Sequence, residues 1–334
     1  MFTLMLLQQH QKGVVDKMND NASMIVVLCS HLCADNCRPL EPSEWTALAD
    51  RMIAQKLQPK DIPDFSNDDM KHYFGYGISE IERINKLLDR AGSLSFELEK
   101  LSSMGIKTIT RADKDYPKAL KTKLKGGCPA LFYFAGDLAL LNRRTVGFVG
   151  SRTVDDDDTA FTQRTVGKIN QYGFGVVSGG AKGIDSASSA ASLSNGSFCI
   201  EYISDSFVRK IKKKDVISAI QDKKLLLMSI AKPDAGFNAG MAMQRNKYIY
   251  AQSEATVVVK SDYNKGGTWN GANEALKKGY CPILCRSRRQ YQGNIELINR
   301  GAIPIDENWD GDVNHIDSLI SDEGEQLSIF DESL

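Results

Sequence analysis

Between Thr145 and Cys285 the sequence alternates short, continuous apolar runs with longer amphipathic stretches, an order that few folds tolerate. The runs Thr145–Val149, Phe174–Ser178, Phe198–Ile203, Leu225–Ile230, Ala255–Lys260 and Pro282–Cys285 read as strands, and helices are expected over 158–171, 184–193, 207–222 and about 270–278. Strands with no polar alternation are buried on both faces. Strands separated by helices pair in parallel through crossovers, so the expected class is α/β, doubly wound, with a mainly parallel sheet. Ligands in that architecture sit at the carboxyl ends of the strands.

The flanks differ in character. From Leu40 to about Ser103 apolar residues recur at three- and four-residue spacing, and Pro42-Ser43 marks a helix start before Trp45, Leu48 and Met52. A turn is expected at Tyr73-Phe74-Gly75-Tyr76-Gly77, followed by a helix with Ile78, Ile81, Ile84, Leu87 and Leu88 on one face, ending near Gly92. After Gly105 the runs Ile106–Ile109 and Leu131–Phe134 read as strands, with loops at Asp115-Tyr116-Pro117 and Gly126-Gly127. The expected organisation is a helical module over 1–103, an α/β domain over 104–306, and an acidic, mostly disordered tail over 307–334.

Charge follows the same division. Residues 1–141 carry 18 basic and 18 acidic side chains, residues 142–305 carry 24 against 14, and residues 306–334 carry ten acids and no Lys or Arg. A net charge of zero thus conceals a basic central domain able to attract phosphate. No stretch approaches the roughly 20 apolar residues of a membrane span, and the seven cysteines, odd in number and irregular in spacing, form no disulfide framework. A soluble cytoplasmic protein is the expectation.

Candidate chemistry gathers at the predicted strand ends. The first strand runs into Gly150-Ser151-Arg152, where helix-start amides, a hydroxyl and a guanidinium suit a phosphate. Asp155–Asp158 follows, four carboxylates that either complement the next helix dipole, point away or hold a cation. The second strand ends in Ser178-Gly179-Gly180-Ala181-Lys182-Gly183-Ile184-Asp185, a turn that matches neither the P-loop nor the dinucleotide fingerprint closely. Arg245-Asn246-Lys247 and Lys265-Gly266-Gly267-Thr268-Trp269 add further basic groups. Two basic turns with an aromatic at one sheet edge meet the needs of single-strand binding. The run from Arg209 to Lys224 is either a solvated face or a phosphate-contacting flank.

Other constellations carry less. Cys29, Cys33 and Cys37 at four-residue spacing on a helix read as packing rather than metal ligands, and Cys281 and Cys285 are similarly bland. The histidines His10, His31, His72 and His315 all lie outside the central domain, no catalytic triad or paired carboxylates can be assembled, and Glu274 is the one acid kept in view. No catalytic residue, metal or cofactor is assigned.

Taken in order, these pieces resemble the DprA/Smf family of DNA-processing proteins over about Leu101 to Ile305. The match is carried by Gly105-Ile106, Asp115-Tyr116-Pro117, Leu131-Phe132, Gly150-Ser151-Arg152, Ser178 to Asp185, and Arg245-Asn246-Lys247 followed by Ala251. It continues through Ala255–Val259, Gly266-Gly267-Thr268, Gly279, Gly293-Asn294 and Gly301-Ala302. The resemblance implies an extended Rossmann-like fold that binds single-stranded DNA, with Arg152, Lys182, Arg245, Asn246 and Lys265 lining the groove and Phe237 as the base-stacking aromatic. Ser151, Gly179, Gly180, Lys247, Gly266, Gly267 and Thr268 complete the expected phosphate site. It also implies a homodimer and, among partners, a RecA-type recombinase. Departures stand at Ser189 in place of a histidine, at Ile203-Ser204-Asp205 in place of a glycine-rich turn, at Cys285-Arg286 in place of a proline–glycine turn, and in the aspartate run.

The tail carries Gln326-Leu327-Ser328-Ile329-Phe330, similar to the peptide by which bacterial replication proteins bind the β sliding clamp, with Gln326, Leu327, Ile329 and Phe330 as anchors. The leading expectation is a non-enzymatic single-stranded DNA-binding protein in DNA recombination, uptake or defence. The alternatives are a nucleotide-sensing or nucleotide-processing domain, in which Lys265–Thr268 and Glu274 would serve a mononucleotide, and a scaffold acting through its tail alone.

Overall fold

The computed structural model describes residues 18–33 and 37–316. The chain forms two compact units. One runs to Ala135 and takes back Asp205–Ile211 and Met228–Gly236; the other comprises Gly136–Ser204, Lys212–Leu227 and the chain from Phe237 onward.

In the first unit helices α1 (Asp20–Cys29), α2 (Pro42–Ala54), α3 (Asn67–Phe74), α4 (Ile78–Asp89) and α5 (Ala91–Ser103) precede strands β1 (Lys107–Thr110) and β2 (Leu131–Ala135), with α6 (Lys118–Leu124) between the strands. Local chemistry sets the helix ends. Pro42 opens α2 behind a Glu41/Glu44 capping box, and α3 stops at Gly75, whose φ of +60° is left-handed. Helix α4 buries Ile81, Ile84 and Leu87 as expected, but Ile78, its first residue, is 72% exposed. It also ends at Asp89, with α5 starting two residues on, so Gly92 lies inside α5 instead of closing α4. Helix α1 ends at Cys29, which leaves Cys33 and Cys37 outside it and removes the expected cysteine stripe. Buried Arg90 donates to the carbonyls of Val27 and Ser30, satisfying groups that the end of α1 leaves without helical partners. Strands β1 and β2 pair antiparallel, with Thr108 opposite Tyr133, and the Ser30 hydroxyl bonds the Tyr133 hydroxyl at 3.0 Å. The expected boundary at 103/104 therefore falls inside a compact unit, because a change of periodicity marks a new element and not the core it joins.

The second unit contains β3 (Thr145–Val149), α7 (Asp156–Gln171), β4 (Gly175–Ser178), α8 (Ile184–Ser194), β5 (Cys199–Tyr202), α10 (Lys214–Gln221) and the start of β6 (Leu225–Ser229). It goes on through α11 (Ala239–Gln252), β7 (Ala255–Val258), α12 (Gly266–Lys278), β8 (Ile283–Arg286), α13 (Gln292–Asn299) and β9 (Ile303–Ile305). Along the sheet the order is β6-β5-β4-β3-β7-β8-β9. Strand β3 pairs in parallel with both β4 and β7, and β7–β8 and β8–β9 are parallel too. From β3 the chain steps outward to β4 and β5, then returns past β3 to β7, β8 and β9. The direction reverses between β3 and β7, the position at which open α/β sheets bind ligands.

The helix expected over 207–222 is two helices, α9 (Phe207–Lys210) and α10, because Lys213 takes an extended conformation and restarts the chain. Helix α11 carries no periodic signal in sequence, being buried from Tyr248 to Gln252 all round. The acidic tail expected from 307 begins as packed chain: Trp309, Val313 and Ile316 are buried, Gly311 lies against α7, and Lys168 of α7 donates its ammonium protons to the carbonyls of Glu307 and Trp309. These apolar residues recur at four- and three-residue spacing within an acidic composition that hides them. Gln326, Leu327, Ile329 and Phe330 lie outside the described residues. No described helix is long and apolar enough to cross a membrane.

Candidate functional site

Three loops leave the carboxyl ends of β3, β4 and β7 and are tied to one another. Ser151 after β3 donates its amide to the Lys260 carbonyl after β7 at 2.9 Å, and its own carbonyl accepts from the Ile184 amide at the start of α8. Gly183 has a φ of +83°, and a Cβ there would fall 2.3 Å from the Ser151 carbonyl oxygen, so the first two turns close on each other only with glycine at this position. The Thr268 hydroxyl donates to the Gly150 carbonyl at 3.0 Å, and Asn246 of α11 donates its side-chain amide to the Gly267 carbonyl at 3.0 Å. Thr268 and Asn246 thus brace the turns.

Helix termini at this edge divide into two kinds. The start of α7 is closed, since Asp155 accepts from the Asp158 amide at 2.8 Å and Asp158 accepts in return from the Asp155 amide. With the Ser151 amide also committed to the sheet, the helix start after the first turn is not the open anion cradle that the sequence suggests. Helices α8 and α12 begin with no side-chain cap, at Gly183 and Lys265. Apart from the Ile184 amide, which the Ser151 carbonyl occupies, their first-turn amides and positive dipole ends are available to an anion.

Arg152, Lys182 and Lys265, one on each loop, are exposed, and none has an ion pair among the described residues. The Arg152 guanidinium lies 4.7 Å from the ring centroid of Phe237, which is 58% exposed. Cation and ring present together at the surface offer contacts to a phosphate and a base face. Gly266, beside Lys265, has a φ of +79°. Lys247 is half-buried, its ammonium 5.5 Å from the Tyr248 ring centroid, which is a less open position than a groove-lining role requires.

Arg245 departs most from expectation. It is 5% exposed and lies behind the second turn, where a Cβ on Gly179 would overlap its Nη1 at 1.1 Å. Nη1 is 3.3 Å from a carboxylate oxygen of buried Asp185, while its Nε is buried without a hydrogen-bond partner. Burial pushes the Asp185 carboxyl up, and the Arg245 charge and hydrogen bond pull it down. Arg245 is therefore a buried support under Gly179 and Gly180, not a lining residue. A motif shows that an arginine is present, but not which side of a backbone turn it occupies.

The aspartate run and the Arg286 departure explain each other. Buried Asp158 pairs with Lys260 at 2.9 Å and with Arg286 at 3.1 Å and accepts from the Tyr291 hydroxyl. Asp157 and Glu307 contact Arg286 at 2.7 and 2.9 Å and also bind Arg288. Three cations face three carboxylates, with the Arg286 guanidinium stacked 4.3 Å from the Phe161 ring centroid. Burial alone would raise the Asp158 carboxyl, but the Tyr291 and Lys260 hydrogen bonds outweigh it and hold that group below the usual range. The Glu307 carboxyl is held at about 2, chiefly by Arg286. The carboxylates hold side-chain cations, so at the β8–β9 end of the edge Lys260, Arg286 and Arg288 are neutralised.

Ser189 is buried, 2.8 Å from the Ser178 hydroxyl, and supports the end of β4 from within. Glu274 accepts from the Tyr280 hydroxyl further down α12, away from the turn it was expected to serve. The sequence marks Asp185 as the end of a motif and Arg286 as a departure, but not their roles as tether and hub, because each role is recognisable only through a partner 60 and 128 residues distant.

The model of the family described as DNA recombination-mediator protein A matches residues 107–312. The chain belongs to this family. The DprA/Smf relatives include DNA processing protein DprA of Bacillus subtilis, 30% identical over 236 residues, with 68% of this chain and 75% of the relative covered. Protein Smf of Synechocystis is 26% identical over 243 residues, and the match spans 58% of that protein. Among solved structures, DNA processing protein A from Streptococcus pneumoniae superposes with a TM-score of 0.66 at 19% identity, covering 87% of this chain and 95% of that one. DNA processing protein A from Helicobacter pylori, whose structure addresses that protein's single-stranded DNA binding mode, gives a TM-score of 0.50 at 24% identity, covering 65% and 96%. The DprA-type region ends at 312, so it takes in Glu307 and Trp309 as well as the sheet.

Proposed function

We propose that this DprA/Smf family member binds single-stranded DNA across the carboxyl ends of β3, β4 and β7 and acts there in DNA processing for recombination, as a binding protein and not an enzyme. The observation that carries the reading is the row of exposed Arg152, Lys182 and Lys265, with the Phe237 ring against Arg152 and two uncapped helix starts between them. Phosphates take the cations and amides and a base takes the ring, contacts that do not depend on base identity, so binding is sequence-tolerant. Ser151, Gly179, Gly180, Asn246, Gly266, Gly267 and Thr268 shape the loops, and Arg245 and Lys247 act from behind them. The Helicobacter pylori relative's single-stranded DNA binding supports the same ligand class.

Titration of a labelled single-stranded oligonucleotide of about 20 nucleotides at two salt concentrations tests the reading. Micromolar or tighter binding, weakened by salt and by Arg152→Ala and Lys182→Ala for every sequence alike, is expected. No binding at low salt, with thermal stabilisation by a mononucleotide instead, would transfer the uncapped helix starts to the nucleotide reading. A homodimer, a RecA-type recombinase partner and clamp docking through Gln326–Phe330 are further parts of the proposal. Size measurement tests the first, and pull-downs with and without the last eighteen residues, on the order of one short peptide, test the others.

A further inference from the structure

A second exposed aromatic at this edge has no place in the site described so far. Tyr263 lies on the loop from β7 to α12, two residues before Lys265, and 51% of it is exposed. Its ring meets Trp269 at a centroid distance of 5.2 Å and an interplanar angle of 77°. Trp269 is itself buried, with the Arg300 guanidinium 4.8 Å from its ring centroid, and Arg300 is held in turn by Glu296 and Asn273. Asn264, between Tyr263 and Lys265, takes a left-handed φ of 54° and turns the chain sharply there. The carboxylate in the same loop is Asp262, exposed and adjacent to Tyr263.

A ring pinned at one side by a buried indole has already lost its rotamer freedom on folding, so a flat ligand stacking on it need not freeze it again. At the neighbouring strand end an exposed ring is held differently, Phe237 lying against the Arg152 guanidinium. Exposed rings and cations thus stand on the two sides of the point where the strand order reverses: Arg152 after β3 carries the ring of Phe237, which comes from the segment between β6 and α11, and the loop after β7 carries Tyr263 and Lys265.

We infer that Tyr263 is a second nucleobase platform, paired with Lys265 as its phosphate contact, so that a single strand crossing the edge is stacked at two places and not at one. The inference rests on the single-stranded DNA reading and adds to it a residue, a minimum of two stacked bases and a direction of travel from β3 to β7. Stacking is indifferent to base identity but requires a base, so an abasic position is tolerated poorly where any nucleobase is tolerated well.

The test uses the full chain with an oligonucleotide of about 20 thymidines carrying 5-iodouracil, which crosslinks on irradiation to aromatic side chains stacked on it. Affinity is measured in parallel for wild type, Tyr263→Ala, Tyr263→Leu, Tyr263→Phe and Lys182→Ala. Tyr263→Ala and Tyr263→Leu are expected to weaken binding about 5- to 100-fold, the loss of one stacked base, while Tyr263→Phe stays within about twofold of wild type. Tyr263→Leu retains apolar packing on Trp269, so its loss reports stacking and not folding. A crosslink should map to the peptide containing Tyr263 and vanish in Tyr263→Ala. If wild type binds and Lys182→Ala weakens it, yet Tyr263→Ala and Tyr263→Leu bind as wild type with no crosslink at 263, the second platform is wrong and the DNA site stands. If wild type does not bind and Lys182→Ala changes nothing, the DNA reading itself fails and this inference falls with it.

Discussion

Arg245 and Asp185 show how little a residue's charge says about its task. Both are almost wholly buried, and their contact is a single one of 3.3 Å, so the pair is a costly device retained in one geometry. Removing one partner leaves the other charge buried and alone. Asp185→Ala is therefore expected to destabilise the chain by about 3–5 kcal/mol, read as a lower urea midpoint, whereas Asp185→Leu with Arg245→Met recovers most of that stability. The double variant separates support from binding: if it folds and still binds single-stranded DNA like wild type, Arg245 contributes nothing to the anion field under Gly179. Gly179→Ala places a methyl group where Nη1 now sits. It should cost about 1–3 kcal/mol by displacing the guanidinium, and weaken DNA binding by more than Arg152→Ala does.

At the scale of elements, helix starts along one sheet edge have opposite chemistry. Helix α7 opens with four aspartates, two of which cap it, and it is closed to anions; α8 and α12 open on glycine and lysine without a cap. Asp155→Ala should cost about 1 kcal/mol in urea unfolding and leave DNA affinity unchanged, because the α7 terminus takes no part in the site. Thr268→Val should cost a similar amount, about 1 kcal/mol, but also weaken binding, since it cuts the brace between the start of α12 and the Gly150 carbonyl. Equal stability losses with unequal binding losses would separate the two kinds of helix start.

For the whole molecule, zero net charge divides into a basic edge and a neutralised one. If three cations meet phosphate, the slope of log K against log salt should be about −2, and Lys182→Ala should reduce it by about 0.7. A slope several times steeper would mean that other basic residues, such as the Arg209 to Lys224 stretch, join in. Acid should undo the neutralised edge. Glu307 and Asp158 have depressed folded-state pKa values, so their stabilising contribution is present above the unfolded value and is lost as pH falls through the folded one, for Glu307 from about 4.5 towards about 2. Glu44, held at about 2 chiefly by Arg83, adds the same sign. Asp185 opposes them, because its raised pKa makes it costlier at neutral pH than in acid. A urea midpoint that falls across that acid window, with 307–316 exchanging amide hydrogens before the sheet does, is the expected result.

The sequence by itself determined the doubly wound class, because fully apolar strands alternating with helices have few other ways to bury both faces, and Thr145–Val149 is a strand to the residue. It determined the positions of the three turns as well, since glycine and lysine at strand ends are read locally. What it did not contain is the allocation of partners. Arg245 goes inside and Arg152 outside, Asp158 goes to Arg286 and not to solvent, Cys33 leaves the helix of Cys29, and Trp309 anchors a segment whose composition reads as disordered. Each of these depends on residues tens to more than a hundred positions apart meeting across a packed core, and a buried charge takes its role from the group that compensates it. Only the tertiary structure could decide which carboxylates silence which cations, and so which edge of the sheet remains open to phosphate.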